Sequence, residues 1–401
     1  MERILNQKHN KYTFIYALSR LFERASYYGL RAIMVLYMIG ESLQMSRDEA
    51  LGIYGMFTLY LVFSQIPGAL IGDLLIGNKR AIIAGGIIQA IGAFVFCIPS
   101  IIGLYIGLGL VLLGGGLFTP NITAHFGKMY LGKTKLLDSA FTIFYLMINL
   151  GATIGIVTIG YIGEKLGFRI GFMLAGILML IAVVFPLLSK DSNILVSEQV
   201  TMPSINQRVI KILAAFLLVG LFWATYEMTS IRVYEIQSIL ADNILLKSIW
   251  SSLNSIFIIT IGIILTLLWT FFYYRQFIKV TIGFIFGTIS FGLLLLIPET
   301  PTEHHLLIYF ISLLFLGISE VHIAPIIHSI LTKYTNPKYL AIIISLAFIP
   351  TRLLSIGIGL FNDYLYKNSI FTLKLGMILM ILISIGLIIY VLINKKLFNK
   401  A

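Results

Sequence analysis

One stretch near the amino terminus carries side chains able to do chemistry where none should be. From about Tyr12 to Ile39 the chain is apolar and long enough to cross a bilayer, yet it holds Arg20, Glu23, Arg24 and Arg31, with Tyr27 and Tyr28 among them. Charge at membrane depth is costly and persists where it faces a polar cavity or a partner. On a helix, Arg20, Arg24, Tyr27, Tyr28 and Arg31 fall three or four residues apart and share one side. A guanidinium presents a fixed fork of donors that matches a carboxylate. Three arginines against one glutamate therefore make this face suited to hold an anion.

The carboxy-terminal half has the opposite polarity. Its apolar runs contain Glu227 and Arg232, then Glu320, His322 and His328, then Arg352; the amino-terminal half adds only His125 near a helix end. A solute with a carboxylate at one end and an ammonium at the other would suit a cleft with arginines on one wall and Glu227 and Glu320 on the other. Tyr27, Tyr28, Tyr60, Tyr145, Trp223 and Tyr226 are available as walls, although an aromatic at helical spacing more often fills a core. Arg232 and Arg352 read equally well as functional groups and as structural or interfacial ones. His322 and His328 read first as packing residues and second as proton relays. The single cysteine, Cys97, reads as an inert buried thiol.

The elements that must position these groups follow from composition. The chain has 401 residues, 59% hydrophobic and 11% charged, against about 25% charged in a soluble domain. Sustained apolar runs exclude both a soluble core and an outer-membrane barrel, whose strands alternate. Twelve spans are expected, at 12–39, 50–74, 81–99, 101–127, 138–162, 168–188, 208–234, 247–272, 279–297, 305–332, 338–361 and 370–394. The longest polar interruption, 189–207, bisects the chain into amino-terminal (1–188) and carboxy-terminal (208–401) six-helix bundles joined by a cytoplasmic linker. This is the parallel-repeat layout of an all-α, twelve-helix major facilitator fold.

The net charge of +12 is a topology signal and not a mark of nucleic-acid binding. With a cytoplasmic amino terminus, Lys and Arg such as Lys79, Arg80, Lys128, Lys190 and Lys279 gather on one side. Arg47, Lys165, Arg169, Lys247, Lys367 and Lys374 lie on the other, a ratio of roughly three to one. Both termini are then expected in the cytoplasm, with the first span retained rather than cleaved as a signal. The loop after span two, G-A-L-I-G-D-L-L-I-G-N-K-R from Gly68 to Arg80, sets Asp73 at a helix end. There it can pair with Lys79 or Arg80, and with a neighbouring helix when the cytoplasmic face is closed.

The charged stripe resembles the signature of the proton-dependent oligopeptide transporter (peptide transporter) family of the major facilitator superfamily, Glu-x-x-Glu-Arg-Phe-x-Tyr-Tyr-Gly. The matching residues are Glu23, Arg24, Tyr27, Tyr28 and Gly29, with Arg31 following. Further matches come in family order: G-G-G-L-F-T-P-N in span four, F-Y-L-M-I-N-L-G in span five, F-W-A-T-Y-E in span seven, S-L-N-S-I-F-I-I in span eight and E-V-H-I-A-P-I-I-H-S in span ten. The resemblance implies that Arg31 and Glu227 face each other near the outer gate, and that Glu320 helps hold a peptide amino terminus. It also implies a peptide site lined by Arg24, Tyr27, Tyr28, Arg31, Tyr60, Asn149, Trp223, Asn254, Glu320 and Ser329. Glu23, Arg24, Arg31, Glu227 and Asp73 would serve proton coupling and gating. Two positions depart from the pattern: the family's first glutamate falls on Arg20, and its span-four lysine on Thr119. Arg20 beside a lysine would be repulsive, whereas Arg20 beside Thr119 is tolerable, so the two changes make joint sense. They shift the proton-coupling role toward Glu227.

The resulting expectation is a secondary active transporter of the cell (inner) membrane. It imports di- and tripeptides with protons by alternating access, as a monomer embedded in the lipid bilayer, without a cofactor or metal. The alternative is the same fold carrying another small solute, an amino acid or an anion, without proton coupling. An enzyme is disfavoured: there is no HExxH, CxxC, Walker loop or nucleophile elbow, and His304-His305 is a loop pair. A non-transporting receptor ranks last.

Overall fold

The computed structural model describes residues 2–3, 7–190, 202–241 and 244–398. Most of the 189–207 connector lies outside the described residues. In chain order the helices are α1 (Lys11–Ile39), α2 (Arg47–Leu70, continued by a π-helical turn Ile71–Ile76), α3 (Asn78–Val95), α4 (Ile101–Lys128), α5 (Leu137–Leu166), α6 (Phe168–Leu188) and α7 (Ile205–Leu240). Then come α8 (Ile244–Phe271), α9 (Gln276–Leu295), α10 (Leu306–Tyr334), α11 (Leu340–Leu346), α12 (Ile349–Leu360), α13 (Asn362–Lys367) and α14 (Ser369–Phe398). Among the described residues ten helices are long and apolar enough to cross a membrane. Helices α1 and α3 make the arrangement consistent with twelve spans, and the charges of α1 are what remove it from a hydropathy count. One expected span, 338–361, is divided into α11 and α12 by a break at Ala347–Phe348.

Local sequence explains the helix starts. Asn10 accepts from the Tyr12 amide at 3.2 Å, Ser46 from Glu49 at 3.3 Å and Ser100 from Gly103 at 2.9 Å, so side-chain oxygens satisfy amides that lack helical partners. Asp48 and Glu49 add negative charge at the positive end of α2.

The helices form two compact units. One comprises 7–209 together with 331–349; the other comprises 1–6, 210–330 and 350–401. In the first unit α1 packs on α5 and α6, α3 on α4 and α6, and α2 on α4. Small residues permit these approaches: a Cβ at Gly155 of α5 would collide with the Ala25 carbonyl of α1. That contact fixes the back of α1 and turns its charged face toward α4. The same unit includes the last turn of α10 and all of α11, which pack beside α2 and α4.

The second unit is centred on α9 packed against α14, with α7 anchored by polar contacts. Arg232, fully buried, donates to Glu235 at 2.6 Å and to the Ile297 and Pro298 carbonyls at 3.0 and 2.6 Å. Glu235 also accepts from Ser369 at the start of α14. Of its two sequence readings, Arg232 therefore takes the structural one. A two-residue strand, Glu2–Arg3, pairs antiparallel with Phe272–Tyr273.

Candidate functional site

The buried charges of α1 form a closed cluster. Glu23 is inaccessible to solvent and accepts from Arg20 at 2.9 Å, from the Arg24 Nε at 2.6 Å, and from the Arg24 Nη2. Thr119 of α4 sits opposite, its hydroxyl accepting at 3.3 Å from both Arg20 and Arg24. Gln89 of α3 also hydrogen-bonds Glu23, a contact that the sequence reading did not include. The two positions that depart from the family pattern, Arg20 and Thr119, are thus in direct contact. A lysine at 119 would bring a third cation against two guanidiniums sharing one carboxylate.

One turn further along α1 the chemistry changes from ion pair to aromatic enclosure. The Arg24 guanidinium lies 4.8 Å from the Tyr27 ring centre and 5.7 Å from that of Tyr28. Arg31 lies 5.5 and 5.7 Å from the same two rings, and 5.2 Å from Tyr54 of α2. Arg31 donates to the Tyr54 hydroxyl through Nε at 2.9 Å and Nη2 at 2.5 Å. Ring faces stabilise a guanidinium without neutralising it, so Arg31 keeps its positive charge available. Tyr54 went unnoticed in the sequence; its spacing from the α1 motif carries no local signal. Asn149 of α5 is half-buried and donates to the Tyr145 carbonyl of its own helix at 3.0 Å, while Tyr60 of α2 is 50% exposed.

In the second unit, Glu320 of α10, Asn254 of α8 and Tyr226 of α7 come together. Asn254 donates to the Tyr226 hydroxyl at 2.7 Å and to Glu320 at 3.4 Å, and Tyr226 hydrogen-bonds Glu320. Glu320 is buried. The Trp223 ring centre lies 5.3 Å from that of Tyr226, completing a carboxylate with aromatic walls, a combination suited to a cation. Glu227, next along α7, is exposed and accepts from Ser355 of α12 at 2.5 Å. Arg352 of the same helix is half-buried.

Ser329 lies elsewhere. It is fully buried and accepts from Gln276 at 2.6 Å, joining α9 to α10. Both histidines of α10 bond their own helix, His322 to the Ile318 carbonyl at 2.8 Å and His328 to Ala324 at 3.0 Å. His322 also meets the Trp269 ring edge-on. These are packing geometries. Lys279, one of the cations placed on the cytoplasmic side by the sequence, is fully buried, 4.3 Å from the Trp269 ring centre and 5.0 Å from that of Tyr274.

Asp73 occupies the π-helical turn after α2. Its basic partner is Lys128 of α4 at 3.1 Å, a residue remote from the Lys79 and Arg80 that the loop spacing offered. Lys79 donates to the Ser189 carbonyl at 2.6 Å. Asn78 donates to Asp73 at 2.9 Å and to Asn121 at 2.7 Å. The other Asp73 oxygen accepts the Ile342 amide of α11 at 3.0 Å. The close fit requires Gly72, where any Cβ would overlap the Asn121 side chain. The expectation that Asp73 meets a neighbouring helix thus acquires a named partner.

The family model of the Major Facilitator Superfamily matches residues 16–360. Dipeptide and tripeptide permease B of Photorhabdus luminescens is 29% identical over 56% of this chain and 47% of its own length. A di-/tripeptide transporter of Lactococcus lactis is 32% identical over 41% of this chain and 34% of its own. The chain thus spans less than half the length of these curated relatives. A solved POT family transporter in complex with a thioalcohol-conjugated peptide superposes with a TM-score of 0.66 at 21% identity, covering 93% of this chain and 95% of that one. That likeness shows a shared fold.

Proposed function

The chain belongs to the Major Facilitator Superfamily, and on that premise we propose that it is a peptide transporter importing di- and tripeptides together with protons by alternating access. The observation that carries the reading is the Tyr226–Asn254–Glu320 cluster, a buried carboxylate with aromatic company suited to an α-ammonium. The Arg31–Tyr27–Tyr28–Tyr54 group of the first unit, taken by itself, suits a carboxylate. A short peptide has an ammonium at one terminus and a carboxylate at the other. The curated relatives are named as di- and tripeptide carriers, which supports the same substrate class. The protein is a multi-pass membrane protein; we place both termini in the cytoplasm on the charge bias of its loops, and the chain in the inner membrane, acting as a monomer, on the likeness to bacterial peptide permeases.

Proton coupling is assigned to Glu227. Glu23 has its oxygens committed to two guanidiniums and Gln89. Glu227 is exposed and accepts from the Ser355 hydroxyl, so its carboxylate can exchange partners as the transporter changes state. Asp73 acts as a latch, since releasing Ile342 frees α11 from the π-turn. The test is dialanine uptake into proteoliposomes with and without an imposed inward proton gradient. Wild-type protein accumulates dialanine against its gradient, and Glu227→Gln equilibrates it without accumulation. Undiminished proton-driven accumulation by Glu227→Gln removes the coupling assignment, and absence of peptide flux in wild type removes the substrate assignment. A second reading, transport of a more anionic solute, draws on Arg20, which adds a guanidinium where the family pattern has a carboxylate; competition by organic anions against labelled dialanine separates the two.

A further inference from the structure

An apolar groove runs along the outside of α7, α9 and α14, apart from every group considered above. It encloses about 230 Å³ and presents almost no polar surface along its length, its walls including Ala214, Leu217, Phe277, Leu387 and Tyr390. Lys211 stands at one end, in the second turn of α7. Its ammonium lies 4.4 Å from the Phe277 ring centre and 4.5 Å from that of Tyr390. Among the described residues these two rings are what the ammonium meets, and no carboxylate or carbonyl accepts from it.

A cation held between ring faces is positioned but not neutralised, and a half-buried charge next to apolar walls favours acquiring an anion. The groove opens sideways, for Leu217 is 60% exposed on a helix that spans the membrane, so what enters it comes from the bilayer. A water-soluble anion would satisfy Lys211 but leave the walls wet, and a neutral lipid would fill the walls but leave Lys211 unpaired. Lys211 also lies at the end of α7 assigned to the cytoplasmic leaflet by the loop charges, where anionic lipid gathers.

We infer that this groove is a binding site for one anionic glycerophospholipid, its phosphate on the Lys211 ammonium and an acyl chain lying along Ala214, Leu217 and Leu387. The test is native mass spectrometry of the purified full-length chain titrated with phosphatidylglycerol and, separately, phosphatidylcholine of the same acyl chains. Wild type retains one phosphatidylglycerol in preference to phosphatidylcholine. Lys211→Ala weakens phosphatidylglycerol binding about five-fold or more and abolishes the preference, and Lys211→Arg keeps it. Ala214→Trp, which fills the groove but leaves the ammonium, weakens both lipids. Equal binding of the two lipids by wild type overturns the proposal without recourse to any variant. So does unchanged binding by Lys211→Ala or Ala214→Trp, or displacement of the lipid by millimolar inorganic phosphate, which would reduce the site to an anion contact.

Discussion

Restoring the family pattern at its two altered positions should show that they are electrically coupled. Thr119 lies 3.3 Å from both Arg20 and Arg24, and Glu23 is the carboxylate those guanidiniums share. Thr119→Lys places an ammonium within about 4 Å of two cations. At an effective dielectric constant of about 20, each of the two repulsions at that distance is about 4 kcal/mol, more than half of their sum being offset by attraction to Glu23 and by solvent. A net cost of about 3 kcal/mol is expected, a fall of roughly 6 °C or more in the melting midpoint at about 2 °C per kcal/mol. Arg20→Glu alone removes one cation and leaves two carboxylates facing Arg24, also unfavourable. Combined, the two substitutions alternate the signs and should recover most of the loss, with a coupling of about 2–3 kcal/mol in the double-mutant cycle. Thermal unfolding in one fixed detergent, for all four proteins, measures it. Additivity within about 0.5 kcal/mol, or a Thr119→Lys protein as stable as wild type, would refute the contact-based account of why these positions changed together.

Further outcomes are expected elsewhere. Asp73→Ala leaves Lys128, 14% exposed, without its carboxylate and the Ile342 amide without its acceptor, and should cost about 3–5 kcal/mol in thermal unfolding; Asp73→Asn, which keeps an acceptor for Ile342, should cost less. Glu320→Gln removes a charged acceptor worth about 1.5 kcal/mol, so the KM for dialanine should rise roughly ten-fold while an N-acetylated peptide is little affected; equal effects on both would disconnect Glu320 from the ammonium. His9 precedes α1 and bonds Tyr130 at 2.7 Å and Ser139 at 3.3 Å; burial, aided by Lys133, holds its pKa below the ordinary imidazole value. The unfolded chain then binds more protons than the folded one as pH falls through that ordinary value, so this contribution is full at pH 7.5 and declines toward pH 5.5. His9→Gln should flatten that decline in the melting midpoint, and an unchanged slope would place its origin elsewhere.

Much of this molecule was legible from composition and spacing because a bilayer allows so few solutions. With no water to satisfy backbone groups, an apolar run must be a helix, and expected spans such as 168–188 and 101–127 match α6 and α4 almost residue for residue. The face shared by Arg20, Arg24, Tyr27, Tyr28 and Arg31 was likewise readable from helical period alone. Partners from other helices were not. Tyr54 under Arg31, Gln89 under Glu23 and Lys128 under Asp73 are contacts of tertiary packing, and local spacing pointed Asp73 toward nearer lysines. Lys279 shows the same limit from the other side: charge placement puts this lysine on the cytoplasmic side but does not reveal Trp269 and Tyr274 closing over it. The division of 338–361 at Ala347–Phe348 left no trace in hydropathy, since both halves are apolar.

That division bears on how the Asp73 contact can work. α11 is seven residues long and packs with α2, α4 and the π-turn in the compact unit built mainly from residues 7–209, while α12 belongs to the other. A short helix ending at a backbone break can be held or released with little strain passed to the next segment, because the dihedral change is confined to the break. The Asp73 carboxylate holds it by one amide while spending its other oxygen on Lys128 and Asn78. Losing the Ile342 bond therefore leaves Asp73 still paired, which makes release inexpensive compared with breaking a buried ion pair outright. A rigid α11–α12 should abolish that economy. Substituting Pro350→Leu, which restores the amide that the proline in the first turn of α12 lacks and so favours a continuous helix, is expected to slow dialanine exchange across liposomes while leaving equilibrium dialanine binding within about two-fold. If exchange is as fast as in wild type while circular dichroism registers the added helix, the break has no part in release.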